Sequence, residues 1–272
     1  MNDLQLIKIN QAFEVYRQSI FALQNDIQFW RLFLTISINE YVQGKPAEFT
    51  MYKSIFSVYD INPKTNIGYL NSHHSIKAYS VDRIFNEKEK FFNWIINLAV
   101  LKAYNAAEIL ILETISINYF EKMNLSIIDK KAQVLINTKI REYLKTIQVD
   151  YNTTNNKHLI NYLKSKSSDF LMFVTQSIRV GSKTTWGNFF NTFSLLRHII
   201  AHNGMIVSDD ALNEIRSTSK DVFDAHFYLS SSNLLIPIHD QFLNFLVFVN
   251  DFIINSVKIV MEEDSFAFLK MA

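Results

Sequence analysis

The chain has 272 residues, 49% of them hydrophobic and 19% charged, with a formal net charge of +1. That balance excludes a disordered chain and supports one large domain or two modest ones with a sizeable core. The absence of cysteine excludes disulfides and thiolate metal sites, and only 5 glycines and 3 prolines favour long helices joined by short connections.

Asp3 to about Val42 reads as one or two amphipathic helices, with Leu6, Ile9, Phe13, Tyr16, Ile20 and Leu23 at helical spacing and Asp26 as a cap for a second segment. No basic region followed by an apolar core opens the chain, so no secretory signal is expected. Gly44 to Ser80 contains Pro46, Pro63 and Gly68 and is the least regular stretch. It reads as a short helix around Tyr52 followed by loop, or as a strand over Phe56 to Ile61, with His73 and His74 in an exposed loop. A boundary is expected here, between an N-terminal helical region over 1–85 and a helical domain over 86–265.

About Asn86 to Met123 is a long helix that is apolar around much of its circumference, which implies burial on several sides. Lys131 to Gln148 reads as a polar, basic helix, Asn152 to Asn156 as a loop, and His158 to Arg179 as helical. After a turn, a helix from about Asn188 to His202 presents Phe189, Phe193, Leu196 and Ile200 to a core. Asp209 to Phe223 is a short acidic helix, capped by Asp209 and Asp210. Tyr228 to Ile238 is irregular, with an extended piece at Leu234 to Ile236, and His239 to Glu262 closes the molecule. Phe242 to Val260 includes Asn244, Asn250, Asp251, Asn255 and Lys258, too polar for a bilayer span, so Phe242, Phe245, Val249, Phe252 and Val257 mark a core face. The run Glu262, Glu263, Asp264 reads as a solvated helix end. The fold class expected is all-α: an antiparallel helical bundle with an N-terminal helical extension, soluble and cytoplasmic.

Charge is unevenly spread. Residues 130–183 carry 10 basic and 3 acidic side chains, and residues 184–272 carry 5 basic and 10 acidic. The basic segment includes Tyr143, Tyr151 and Tyr162, a combination that can guide a phosphate backbone as well as form a solvated helix face.

The sharpest pattern is Arg197, His198, Ile199, Ile200, Ala201, His202, Asn203, Gly204. Arginine grips phosphate through a planar fork, and imidazole moves protons near neutral pH; together they are a minimal kit for cutting RNA without a metal. His202 falls in the last turn of its helix, and Gly204 suits a left-handed residue closing it. Five helical steps put Arg197 and His202 roughly 140° apart, so the two do not stack on one face. His198 and His202 stand four apart, a spacing that can present two metal ligands, but no carboxylate or third histidine follows at motif distance, and no metal or other cofactor is expected. No glycine-rich phosphate loop and no serine–histidine–aspartate pattern is present.

This segment resembles the signature of the HEPN domain superfamily: an arginine, a polar residue, a few variable positions, then a histidine. Arg197, His198 and His202 fill those places, and the resemblance extends more loosely over about 86 to 263. It implies an all-helical fold and a metal-independent endoribonuclease leaving 2′,3′-cyclic phosphate and 5′-hydroxyl ends. Arg197 and His202 are then catalytic, and His198 and Asn203 contact substrate. The resemblance also implies RNA as a partner, a homodimer with a composite active site, and a role in phage defence or a toxin–antitoxin pair, with an antitoxin or other regulatory protein as a further partner. The alternative is a non-catalytic HEPN module that binds RNA, nucleotide or a protein.

Overall fold

The computed structural model describes residues 3–46, 51–62, 64–120, 130–152 and 156–262. Its helices are α1 (Asp3–Val42), α2 (Val81–Tyr119), α3 (Lys130–Thr146), α4 (Lys157–Lys166), α5 (Ser168–Thr175), α6 (Trp186–His202), α7 (Asp209–His226) and α8 (Phe242–Met261), the last preceded by a 3-10 turn at His239–Gln241. Two antiparallel hairpins, β1 (Met51–Ile61) with β2 (Gly68–Tyr79) and β3 (Phe227–Leu229) with β4 (Leu235–Pro237), are the additions to an otherwise all-α bundle.

By contacts the chain divides into two compact units, one made of Met1–Ile27 with Asn93–Ala272 and the other of Gln28–Phe92. The sequence suggested a division near residue 85 instead. The difference lies in the first seven turns of α1, whose Ile9, Phe13, Tyr16, Ile20 and Leu23 are buried in the main core.

In the larger unit, four helical segments make the bundle. Gln5 Nε2 donates to Ile117 O (3.3 Å) and Tyr16 Oη to Asn250 Oδ1 (2.7 Å), so α1 runs antiparallel to α2 and α8. His239 pairs with Asn93 at 2.6 Å and Asn118 Nδ2 reaches Val260 O at 2.7 Å, so α2 and α8 run the same way. Helix α6 runs against both: Trp186 faces Phe252 and Phe193 faces Phe245. The stripe expected to be buried on α6 is buried, as is the one on α8. Phe189, Phe193 and Phe245 on one side and Phe190 and Phe252 on the other, joined through Tyr104, form a continuous aromatic core with ring centroids 4.8 to 6.2 Å apart, a spacing at which offset and edge contacts add to area burial.

The segment read as helical over His158 to Arg179 is two helices. Ser167 is extended, accepts from Phe170 N and caps α5. Helix α7 runs to His226, three residues beyond its expected end, with a non-helical Ser219 inside it whose hydroxyl donates to Asn188 O (3.2 Å).

In the smaller unit, Tyr52 lies in β1, not in a helix, and the strand over Phe56 to Ile61 is present and longer than expected. Its partner is β2, pairing Ile61 with Gly68 and Phe56 with His73, so the two histidines sit in a strand rather than a loop. The connection is what periodicity alone does not weigh. Asn62 N–H bonds Ile67 O and Asn66 N–H bonds Asn62 O, Asn62 Oδ1 accepts from Lys64 N, and Asn66 takes the left-handed conformation asparagine tolerates. In the same unit, Phe29, Trp30 and Phe33 of α1 form an exposed aromatic cluster with centroids 5.5 to 5.8 Å apart.

Two stretches, Arg83–Tyr119 and His239–Met261, are long and apolar enough to cross a membrane by length and composition. Core helices of a bundle pass the same test, and 56% and 44% of those windows are buried against the rest of the chain. Residues 121–129, 153–155 and 263–264, on which parts of the expected helix ends and loop fall, lie outside the described residues.

Candidate functional site

Helix α6 carries the motif, and both its ends are fixed by local chemistry. Thr185 caps the first turn, its hydroxyl accepting from Asn188 N (3.3 Å). At the other end Asn203 N–H and Met205 N–H both return to Ile199 O, and Gly204 closes the helix at φ 58°. The closing turn is then pinned. Leu235 N–H bonds Met205 O (2.8 Å), and the fully buried Asn97 side chain of α2 donates to Leu235 O (3.2 Å) and meets Met205 Sδ (3.3 Å).

On this anchored end the histidines are together. His198 and His202 are exposed, with ring centroids 4.9 Å apart at 49°. Asn203 is exposed beside them. Two adjacent imidazoles at a solvent-facing helix end suit proton transfer or anion contact. Among the described residues, no group of three histidine, aspartate or glutamate side chains gathers for a metal.

Arg197 lies on a different side of the helix. It is half-buried, and its Nε is buried without a hydrogen-bond partner among the described residues. Its electrostatic neighbours are Glu108 and Tyr104, one turn apart on α2. Tyr104 is fully buried, with its ring 5.0 Å from Phe193 and 5.7 Å from Phe190. Asn156, the left-handed residue opening α4, binds both: its Nδ2 donates to Glu108 Oε1 and to Tyr104 Oη, each at 2.6 Å. Burial pushes the Glu108 carboxyl above its ordinary range, against the opposing pull of the Asn156 amide and the Arg197 guanidinium. Burial, and then the Glu108 charge, likewise raise the Tyr104 hydroxyl.

The four residues expected at the site thus fall into an exposed group, His198, His202 and Asn203, and a half-buried arginine whose charge is felt at the half-buried Glu108 and the buried Tyr104. Glu108, Tyr104 and Asn156 escaped the sequence reading. The available signal was Tyr104 and Glu108 four apart on a helix apolar around much of its circumference, but their shared partner lies 48 residues beyond Glu108.

Helix α4, which delivers Asn156, is held by His158. That imidazole is 2% exposed, and its Nε2 pairs with Asn137 Oδ1 of α3 at 2.8 Å. Its Nδ1 has no partner among the described residues. Burial, with the nearby Arg141 charge, pushes its pKa down to about 4.

The basic segment divides. Tyr162 is buried among Tyr119, Phe120 and Tyr143, so it offers no face to a base. Lys166 Nζ lies 3.7 Å above the Tyr143 ring, and Lys157 pairs with Glu214 at 3.2 Å. Two grooves run along this region. One of about 630 Å³ is lined by Arg141, Lys145 and the exposed Tyr151, and one of about 250 Å³ by Lys157, Lys164, Asn188 and Asn191. Neither includes Arg197 or His202. Comparison of the chain with family models, with curated proteins and with solved structures finds no match.

Proposed function

We propose that this chain is a metal-independent endoribonuclease of HEPN type, cleaving RNA to 2′,3′-cyclic phosphate and 5′-hydroxyl ends. One observation carries the reading. On the anchored end of α6, an arginine with an unused buried Nε and an exposed pair of imidazoles stand within six residues of each other. In the proposed reaction the ribose 2′-oxygen attacks phosphorus, the P–O5′ bond breaks, an imidazole takes the 2′-hydroxyl proton, and the departing 5′-oxygen is protonated. His202 is the proton-transfer group, Arg197 offsets charge on the developing phosphorane, and His198 and Asn203 hold the flanking backbone.

Arg197 and His202 are directed apart on the helix, so the proposed site joins one copy's arginine to a second copy's histidine in a homodimer. A cytoplasmic role in phage defence or a toxin–antitoxin pair, with a regulatory protein partner, belongs to the same proposal. The second reading, a module that binds RNA, nucleotide or protein without cleaving, is favoured by Arg197 lying half-buried while His202 is exposed on another side of the helix.

The test incubates the purified protein with labelled tRNA and total RNA in EDTA, beside an Arg197→Ala/His202→Ala variant. Chelator-resistant cleavage with cyclic-phosphate ends, lost in the variant, is the expected result. RNA retention without cleavage by a folded dimer selects the binding module.

A further inference from the structure

The small hairpin of β3 and β4 is apolar on both faces, and it adjoins the histidine end of α6. The two are joined by a tight turn: Ile206 N–H bonds Asn203 O (3.0 Å), with Gly204 at φ 58° and Met205 at φ 69° between them. Such a turn holds its first and last Cα atoms within about 7 Å, so Ile206 stands beside the exposed Asn203. Residues 205–207 then run along β4. Leu235 N–H bonds Met205 O (2.8 Å), Val207 N–H bonds Asn233 O (3.0 Å), and Ile206 lies opposite Leu234. On the other edge of β4, Tyr228 lies opposite Ile236.

Opposed residues share a face of a sheet, and neighbours along a strand alternate between faces. One face therefore holds Val207, Leu235 and Phe227, each 2% exposed or less and part of the main core. Asn97 of α2 fixes it there by donating to Leu235 O (3.2 Å). The other face holds Ile206, Leu234, Ile236 and Tyr228. An antiparallel sheet that covers a core normally turns polar side chains outward. Here all four are aliphatic or aromatic, and Ile206, Tyr228 and Leu234 remain 55%, 52% and 36% exposed. Neither residues 203–208 nor residues 227–238 carry a charged side chain.

We propose that this outer face is the base-binding subsite of the ribonuclease site: Tyr228 stacks on an unpaired nucleobase of single-stranded RNA, and Leu234 and Ile206 extend the platform towards Asn203, His198 and His202, which take the adjoining phosphate. This rests on the ribonuclease reading and adds where a base sits. Two features select the occupant. The division of charge matches a nucleotide, with an uncharged platform for the base and imidazole and amide donors beside it for the anionic backbone. The exposed apolar area, roughly 300 Å², is less than half of the about 800 Å² that each partner brings to a stable protein interface. It suits a planar ring rather than a second copy of the chain.

The experiment measures Kd by fluorescence anisotropy for a labelled single-stranded RNA whose 2′-hydroxyls are replaced by fluorine, so that it cannot supply the attacking oxygen. A set of the same strand lacking one base at a time is measured beside it. Wild type, Tyr228→Ala and Tyr228→Phe are compared, with thermal melting to confirm folding, light scattering to read the mass, and cleavage of the unmodified strand. Expected are binding weaker by about 5-fold or more in Tyr228→Ala, retention in Tyr228→Phe, and a salt dependence left unchanged because the platform is uncharged. One base should also emerge whose removal weakens wild type but not Tyr228→Ala. If Tyr228→Ala binds and cleaves as wild type does, or if its loss is the same on every strand of the set, the subsite is overturned; cleavage by wild type then leaves the ribonuclease reading standing. A fall from dimer to monomer mass in Tyr228→Ala marks the face as a contact between copies and likewise overturns the subsite. If wild type shows the base-dependent loss but does not cleave, the subsite stands and the ribonuclease reading gives way to the binding module. Wild type that neither binds nor cleaves overturns both.

Discussion

Replacing His158 by glutamine isolates the electrostatic cost of a buried imidazole that anchors the α4 start. In the folded chain one ring nitrogen pairs with Asn137. The other faces no acceptor among the described residues, so a proton placed there has no partner and sits near Arg141. Burial, with that neighbouring charge, lowers the pKa from 6.5 to about 4. The folded state therefore binds fewer protons than the unfolded state between those values. The stabilising contribution is complete above pH 6.5 and is lost as pH falls through the window towards 4. The full gap corresponds to about 3 kcal/mol, of which about 2 kcal/mol is lost by pH 4.5. Glutamine keeps a donor for Asn137 and does not titrate. Urea unfolding of wild type and His158→Gln from pH 7.5 to 4.5 should show the stability difference between them moving by about 2 kcal/mol in favour of the variant. Taking the difference cancels His226, whose pKa is lowered mainly by burial, and the carboxyl groups that titrate in both proteins. A difference that stays constant over this range refutes the argument. It would mean that the His158 ring is hydrated or partnered when protonated.

Two further tests probe how α6 is held. Gly187→Ala would place a methyl group 3.1 Å from Val174 O and 3.5 Å from Val174 Cβ, in a buried backbone contact between α5 and α6. The strain should outweigh the helix-propensity gain of about 1 kcal/mol and lower the melting temperature by several degrees; an unchanged or higher value would show that α5 moves freely. Asp221 accepts hydroxyl bonds from Ser182 (2.5 Å) and Thr184, closing the turn that leads into α6. Partial burial opposes its charge, yet these bonds hold its carboxyl below the ordinary range, so its stabilisation is present above that range and lost as pH falls through it. Asp221→Asn should cost about 1–2 kcal/mol at pH 7, measured by urea unfolding, and less in acid; an equal cost at both would refute the charge-assisted account.

Element type was largely legible where periodicity is long and unbroken. The apolar stripes of α6 and α8 and the glycine that closes α6 follow from spacing and from the left-handed conformation glycine adopts without strain. The hairpin around Tyr52 was less so, because its strand signal is short and its partner is another short segment, joined by an asparagine turn whose bonds do not appear as a period. The basic, tyrosine-containing stretch around Tyr162 suggested a guide for a phosphate backbone or a solvated helix face, but the Tyr162 ring is buried, since composition does not say which side of a helix meets its neighbours.

For the candidate site the division is equally physical. Sequence alone determined that Arg197, His198 and His202 share the end of one helix, because their order and the helical repeat leave no other arrangement. Only tertiary structure decided what Arg197 faces. Its charge is felt at Glu108 of α2, which Asn156 holds from the start of α4, and that arrangement depends on the packing of three helices around one aromatic core, which no local pattern encodes.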